Sequence, residues 1–164
     1  MSELRVGIGV DAHAFSEEAR LVLGGVELPG PGLAGHSDGD VVTHALIDAI
    51  LGAAGREDIG ALFPSDDGQW EGASSLDLLE RAYEDATGAG WELVNADCVL
   101  IGEEPRIAPV RNELRERLSG VLGVDMDRIT VRATTTDRLG FTGRGEGLAA
   151  QAVALLRRRD TIDT

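Results

Sequence analysis

Residues 36–54, HSDGDVVTHALIDAILGAA, leave this chain little freedom in how it packs. A short loop with one His and two Asp runs into a segment whose only polar side chains between Val41 and Leu51 are Thr43, His44 and Asp48. A helix so apolar around its circumference belongs in the interior. Asp40 stands where an N-cap belongs, its carboxylate able to accept from a free N–H of the first turn. Asp40, His44 and Asp48 fall at i, i+4 and i+8, hence on one side of that helix. Such a polar stripe is costly to bury unless polar partners meet it. Taken alone, the stretch fits a capped core helix with one satisfied histidine as well as it fits a site.

The residues upstream favour a site. LRVGIGVDAH at 4–13 reads as a strand, with Gly7 and Gly9 allowing close backbone packing, expected to end near Asp11. In extended geometry Asp11 and His13 project to the same side, the spacing at which a carboxylate and an imidazole can share one cation. An isolated pair of this kind is more often a solvated strand end. Here, however, all three histidines of the chain fall within residues 13–44, each close to an Asp. With His44 as third ligand, a fourth tetrahedral position would stay open, which is the arrangement of a working zinc rather than a structural one.

A chain of 164 residues suits one domain, 1–164, with a real core. No apolar run is long enough to span a bilayer, and the opening MSELRVGIGV lacks a signal-peptide pattern, so a cytoplasmic enzyme is expected. The formal charge of −14 argues against nucleic acid or an anionic membrane surface as partner. A phosphate ligand would need that charge offset locally, by divalent metal, helix N-termini or backbone N–H groups. All fifteen basic residues are Arg. The single Cys98 lies in a strand-like run and reads as a buried thiol rather than a nucleophile.

Further along, 20–28 reads as a hairpin turning at Gly24 and Gly25. Pro29 to Gly35 is loop, leaving His36 beside the expected cation as either a solvated residue or a donor to an anion. Residues 56–73 read as a long acidic loop, functional or simply solvated. Ser74 opens a helix with a Ser74-x-x-Asp77 capping box and an apolar face of Leu76, Leu79 and Tyr83 running to Gly88. A strand is expected over 91–101. Pro105 suits N1 of another helix, with Ile107, Val110, Leu114 and Leu118 on one face. Another strand follows over 128–135. TTTDRLGFTGRGEG at 134–147 places a Gly-rich backbone ahead of LAAQAVALL, expected to be a helix whose N-terminus suits phosphate oxygens. The order of elements predicts an α+β domain with helices on one face of a sheet.

Four motifs stand in order along the chain: RVGIGVDAH at 5–13, HSDGDVVTH at 36–44, DIGALFP at 58–64 and ATTTDRLGFTGRGEG at 133–147. Through them the chain resembles the 2-C-methyl-D-erythritol 2,4-cyclodiphosphate synthase family of the non-mevalonate isoprenoid pathway. The resemblance implies a ferredoxin-like mixed β-sheet with helices packed on one face, assembled as a homotrimer with active sites between subunits. It implies that the 2-phosphate of 4-diphosphocytidyl-2-C-methyl-D-erythritol 2-phosphate attacks the β-phosphorus of its own diphosphate, releasing CMP. By the same resemblance a zinc-type cation sits on Asp11, His13 and His44, and a second cation, Mg²⁺ or Mn²⁺, meets the diphosphate and Asp137. His36 and Thr135 match transition-state stabilisers. Asp11, His13, His36, Ser37 and Asp40 match substrate contacts. Asp58, Ile59, Gly60, Phe63, Pro64, Ser65, Asp66 and Asp67 match the erythritol side. Gly102, Glu103, Glu104, Pro105, Arg106, Ile107 and Ala108 match the cytidine loop. Thr134, Thr136, Phe141 and Arg144 complete the contact set. A prenyl diphosphate in the central cavity is a further ligand the resemblance allows. Asp137 replaces a common family Glu, and Ser65 replaces an Asp. Two other activities fit the same residues: a metal-dependent phosphohydrolase, and a non-catalytic trimer that binds isoprenoid diphosphates.

Overall fold

Two glycines of the first strand decide where the buried helix sits. In the computed structural model, which describes residues 2–160, strand β1 (Leu4–Ser16) crosses helix α1 (Val41–Ala53) at very close range. A Cβ on Gly7 would collide with the carbonyl oxygen of Ala49, and one on Gly9 with that of Ala45. The helix offers Ala45, Ala49 and Ala53, and all three are buried. Small residues on both sides bring backbone against backbone.

Between these two elements lie the hairpin β2 (Leu21–Leu23) and β3 (Val26–Leu28) and the short β4 (Gly32–Leu33). After α1 come the single turn α2 (Ile59–Leu62), helix α3 (Ser75–Gly88), strand β5 (Trp91–Ile101), helix α4 (Arg111–Leu122), strand β6 (Ile129–Thr134), the single turn α5 (Gly140–Gly143) and strand β7 (Gly147–Arg158). Five strands form one mixed sheet in the order β4-β1-β7-β5-β6, antiparallel except for the β5–β6 pair. Helices α1, α3 and α4 cover one face of it, making an α+β fold with the core between. The other face is open at β1, where Leu4, Val6, Ile8 and Val10 are 60–69% exposed, joined by Val153 of β7 at 42%.

Several sequence expectations need correction. LAAQAVALL is not a helix but the middle of β7, and β7 is the central strand of the sheet. Its buried side carries Leu148, Ala150, Ala152, Ala154 and Leu156 at strict alternation, and the small alanines admit α1. Pairing on both edges overrides the helix preference of Ala and Leu. With no helix at 148, the Gly-rich run leads instead into a strand.

Pro105 does not begin a helix. It follows Glu104 through a cis peptide bond, and a 3-10 turn at Ala108–Val110 leads into α4. β1 continues past Asp11 to Ser16, and residues 56–73 hold α2 and a 3-10 turn at Gly68–Trp70. Ser74 is the N-cap of α3, yet its hydroxyl makes no capping bond. The Ser75 N–H is accepted instead by Asp38 Oδ2 at 2.8 Å. Among the described residues, no helix is long and apolar enough to cross a membrane.

Candidate functional site

β1 and α1 meet where the strand leaves the helix, and there three donor groups converge. Asp11 and His13 share the inner side of β1, as their spacing predicts, and His44 reaches down from the first turn of α1. Asp11 Oδ2 lies 2.9 Å from His13 Nε2 and 3.1 Å from His44 Nδ1. One ligand atom from each residue falls within 4.8 Å of the others, a group able to hold a metal ion. Two imidazole nitrogens and one carboxylate oxygen suit a zinc-type cation with a position left for substrate.

The remaining ring nitrogens are held by the protein. His13 Nδ1 faces the Ala34 carbonyl oxygen, and His44 Nε2 lies 2.9 Å from Ser37 Oγ and 3.9 Å from Asp38 Oδ1. Such bonds fix ring orientation and leave the inward nitrogens free as ligands.

Burial pushes the Asp11 carboxyl up, but the bonds from His13 and His44 outweigh it and bring it down to about 2. The Asp11 bond raises His13, against the opposing effect of burial. The depressed Asp11 stabilises the folded state above its ordinary 3.8, and that contribution disappears as pH falls through about 2. The raised His13 stabilises it fully below its ordinary 6.5, and the gain is lost as pH rises through the higher folded value. In EDTA, therefore, the melting-temperature advantage of wild type over His13→Ala should shrink as pH rises above the ordinary 6.5 of the imidazole. With zinc added the trend should reverse, because the metal takes neutral imidazole. Thermal melts at several pH values, with and without zinc, check both signs.

Beside this group is a cavity of about 190 Å³ lined by Asp11, His13, His36, Ser37, His44, Ile59, Gly60, Phe63, Ser65, Trp70 and Leu78. Trp70 packs edge-on against Phe63, with ring centroids 4.9 Å apart, and Arg81 lies over its ring. Trp70 and Leu78 were not singled out from sequence. The available signal was a lone tryptophan in an acidic loop, an aromatic that needs something to pack against.

A second cavity, about 500 Å³, opens at the far ends of β5 and β6. Gly102, Glu103, Glu104, Pro105, Arg106, Ile107 and Ala108 line it, together with Arg111, Ala133, Thr134, Thr135, Arg138 and Gly143. The Gly102 N–H donates to the Thr134 carbonyl at 3.0 Å, and the Arg138 N–H to Glu103 Oε1 at 3.0 Å, fastening the two loops together. Asp137 and Arg138 both take left-handed backbone, φ 52° and 66°, a costly conformation for side chains of this kind. Arg111 and Arg138 also escaped the sequence reading. With Arg106 they supply positive charge that the overall balance of −14 did not announce.

The structure does not bring every expected contact to these two cavities. Asp40 is fully buried, and its carboxylate accepts from the N–H groups of Gly24, Gly25 and Thr43 and from the hydroxyls of Thr43 and Ser75. That carboxylate knits the hairpin to two helix starts and lines neither of the two cavities. Asp58 caps α2 through the Ala61 N–H, and Asp67 caps the following 3-10 turn. Thr136 bonds the Leu139 carbonyl and Thr142. Pro64, Asp66, Phe141 and Arg144 line neither cavity, and Arg144 pairs with Glu146 at 2.9 Å. Asp137 is not part of the Asp11 group; its carboxylate meets Thr135 Oγ1 at 3.4 Å.

Fold and site together define an α+β protein with a two-histidine, one-carboxylate group able to hold a metal ion, and a separate cavity lined by arginine, glutamate and threonine and by the 102–108 loop. The chain belongs to the YgbB family, whose model matches residues 4–157. It is 56% identical over 162 residues to the 2-C-methyl-D-erythritol 2,4-cyclodiphosphate synthase of Rubrobacter xylanophilus, covering 96% of this chain and 98% of that protein. Among solved structures, the bifunctional IspDF of Campylobacter jejuni superposes with a TM-score of 0.94 at 42% identity, over 98% of this chain and 44% of that one. The CDP complex of Plasmodium falciparum IspF superposes at 0.85 with 32% identity, over 98% of this chain and 99% of that one.

Proposed function

We propose that this chain converts 4-diphosphocytidyl-2-C-methyl-D-erythritol 2-phosphate to 2-C-methyl-D-erythritol 2,4-cyclodiphosphate and CMP. The observation that carries this reading is the convergence of Asp11, His13 and His44 beside a small cavity, in a chain 56% identical to a synthase of that name. An oxygen of the 2-phosphate attacks the β-phosphorus, the bond from that phosphorus to the bridging oxygen breaks, and CMP leaves with that oxygen. The attacking phosphate is already ionised, so no strong base is needed and catalysis rests on positioning and charge. A zinc-type cation on Asp11, His13 and His44, with a second ion, Mg²⁺ or Mn²⁺, near Asp137, would supply the positive charge these phosphates require.

The chain's own residues do the rest. Ser37 and the Ala34 carbonyl hold the two imidazoles in orientation. His36 and the backbone at Ile59 and Gly60 line the cavity where the erythritol would sit, and Thr135 offers a hydroxyl from the other cavity. Backbone groups of the 102–108 loop read the cytosine, and Arg106, Arg111 and Arg138 face the anionic remainder.

The two cavities lie apart in one chain, and β1 exposes a row of large apolar side chains. Both features support a homotrimer of ferredoxin-like subunits, each a single domain 1–164, with every site shared between neighbours. A prenyl diphosphate along the trimer axis and residence in the cytoplasm belong to the same reading.

Purified protein given the diphosphocytidyl substrate and Mg²⁺ should yield CMP and cyclic diphosphate in equal amounts. Linear diphosphate carrying oxygen-18 from solvent would mean hydrolysis instead. The shared site has its own test. Asp11→Asn and Thr135→Ala proteins, each impaired alone, should regain activity at about a quarter of their sites when co-expressed, as random mixing of a cyclic trimer requires. No recovery in mixed trimers would place both halves within one subunit.

A further inference from the structure

The cavity beside the metal-binding group has two walls, and one residue that lines neither ties them together. α1 supplies His44, and one helical turn later Asp48 projects from the same side of the helix. Every other residue of α1 except Gly52 is buried, whereas Asp48 is half-buried and has a specific partner. Asp48 Oδ1 accepts the Ile59 N–H at 2.7 Å. Ile59 is the first residue of α2, where backbone N–H groups have no partner within the helix. Asp58, the cap of that turn, accepts the Ala61 N–H at 2.9 Å and leaves the Ile59 N–H to Asp48.

We propose that Asp48 is a positioning residue that anchors Ile59 and Gly60, one wall of the cavity, to the helix that carries the metal-binding His44. This inference rests on the function proposed above for its effect on turnover, although the anchoring itself does not. The geometry makes the connection short. From His44 to Asp48 is one turn of rigid helix, and from Asp48 to the cavity wall is one hydrogen bond. The outer side of the same segment is held by Arg56, whose guanidinium meets Asp85 of α3 at 2.7 and 3.0 Å. Asp48 therefore holds the four-residue helix directly, whereas Arg56 holds the chain three residues ahead of it, and that helix contributes no fully buried residue of its own. Ile59 is only partly buried against the core and Gly60 has no side chain, so loss of the Asp48 bond should loosen the start of the turn while α1 stays in place.

Three measurements on Asp48→Ala and Asp48→Asn test this. Zinc alone should bind Asp48→Ala within about twofold of wild type, because no ligand is touched. Amide exchange at residues 59–63 should quicken in Asp48→Ala with no change at 41–47. KM for the diphosphocytidyl substrate should rise about tenfold, the size of one lost bond to a charged acceptor, with a smaller fall in kcat. Asp48→Asn keeps an acceptor oxygen and should restore most of the loss in both exchange and KM. Unchanged exchange at 59–63, lost zinc affinity in Asp48→Ala, or an Asn variant as impaired as the Ala variant would each overturn the proposal. If wild type fails to turn the substrate over, only the function proposed above falls, because the exchange and zinc measurements still decide the anchoring.

Discussion

His44→Ala should leave a folded protein that has lost both its metal and its turnover. The side chain is one of three donors, and the two that remain, Asp11 and His13, lie on a single strand and cannot enclose a cation from two sides. Charge neutralisation by such an ion contributes several kcal/mol, so kcat should fall by about a thousandfold or more. Elemental analysis should show metal bound to wild type and nearly none bound to the variant, while circular dichroism stays unchanged. The apolar face of α1 and the Asp40 cap are untouched by this substitution. A His44→Ala protein that keeps its metal would break the assignment of the ligand set.

The second large effect comes from Gly9→Val. A side chain here meets backbone, the carbonyl oxygen of Ala45, and backbone cannot rotate away as a flexible side chain would. Overpacking of this kind should lower stability by about 3 kcal/mol or more in urea denaturation. It should also weaken zinc binding, because the collision pushes α1 away from β1 at the turn that carries His44. Gly52→Ala on the same helix is the contrasting case. Gly52 is exposed, and its new methyl would come no nearer than 3.9 Å to Gly7 Cα. That substitution should stabilise the helix by about 0.5–1 kcal/mol. Opposite signs from two glycines on one interface would establish that the close approach, and not glycine content, sets the helix position.

Much of the metal-binding group was legible in the sequence because it depends on local periodicity. Asp11 and His13 share a side by the two-residue repeat of a strand, and an apolar circumference told that the helix bearing His44 is buried. The hairpin at Gly24 and Gly25, the Asp40 cap and strand β5 were readable for the same reason. β7 was not. Leu148 to Leu156 is rich in residues that favour helix, and only its position between two strands makes it extended. Pro105 misled in a similar way, since a proline suits a helix start and a tight turn equally well. Asp40 looked like part of a functional stripe, but beyond its local bonds to Thr43 its carboxylate is taken up by Gly24, Gly25 and Ser75, which are remote in sequence. The separation of the two cavities within one chain is a tertiary fact that no local pattern encodes.

The placement of β7 also governs how the molecule comes into being. β1 pairs with it from Leu4 against Arg157 to Ala14 against Gly147, so the strand bearing Asp11 and His13 finds its main neighbour only among the last residues of the described chain. During synthesis that edge of β1 stays unpaired until residues 147–157 have emerged. Loop closure over such a span is slow, and unpaired edges invite association with other nascent copies. A chain cut before β7 would lack the strand that both β1 and β5 pair with, and Asp11 and His13 would stand on a sheet without its centre.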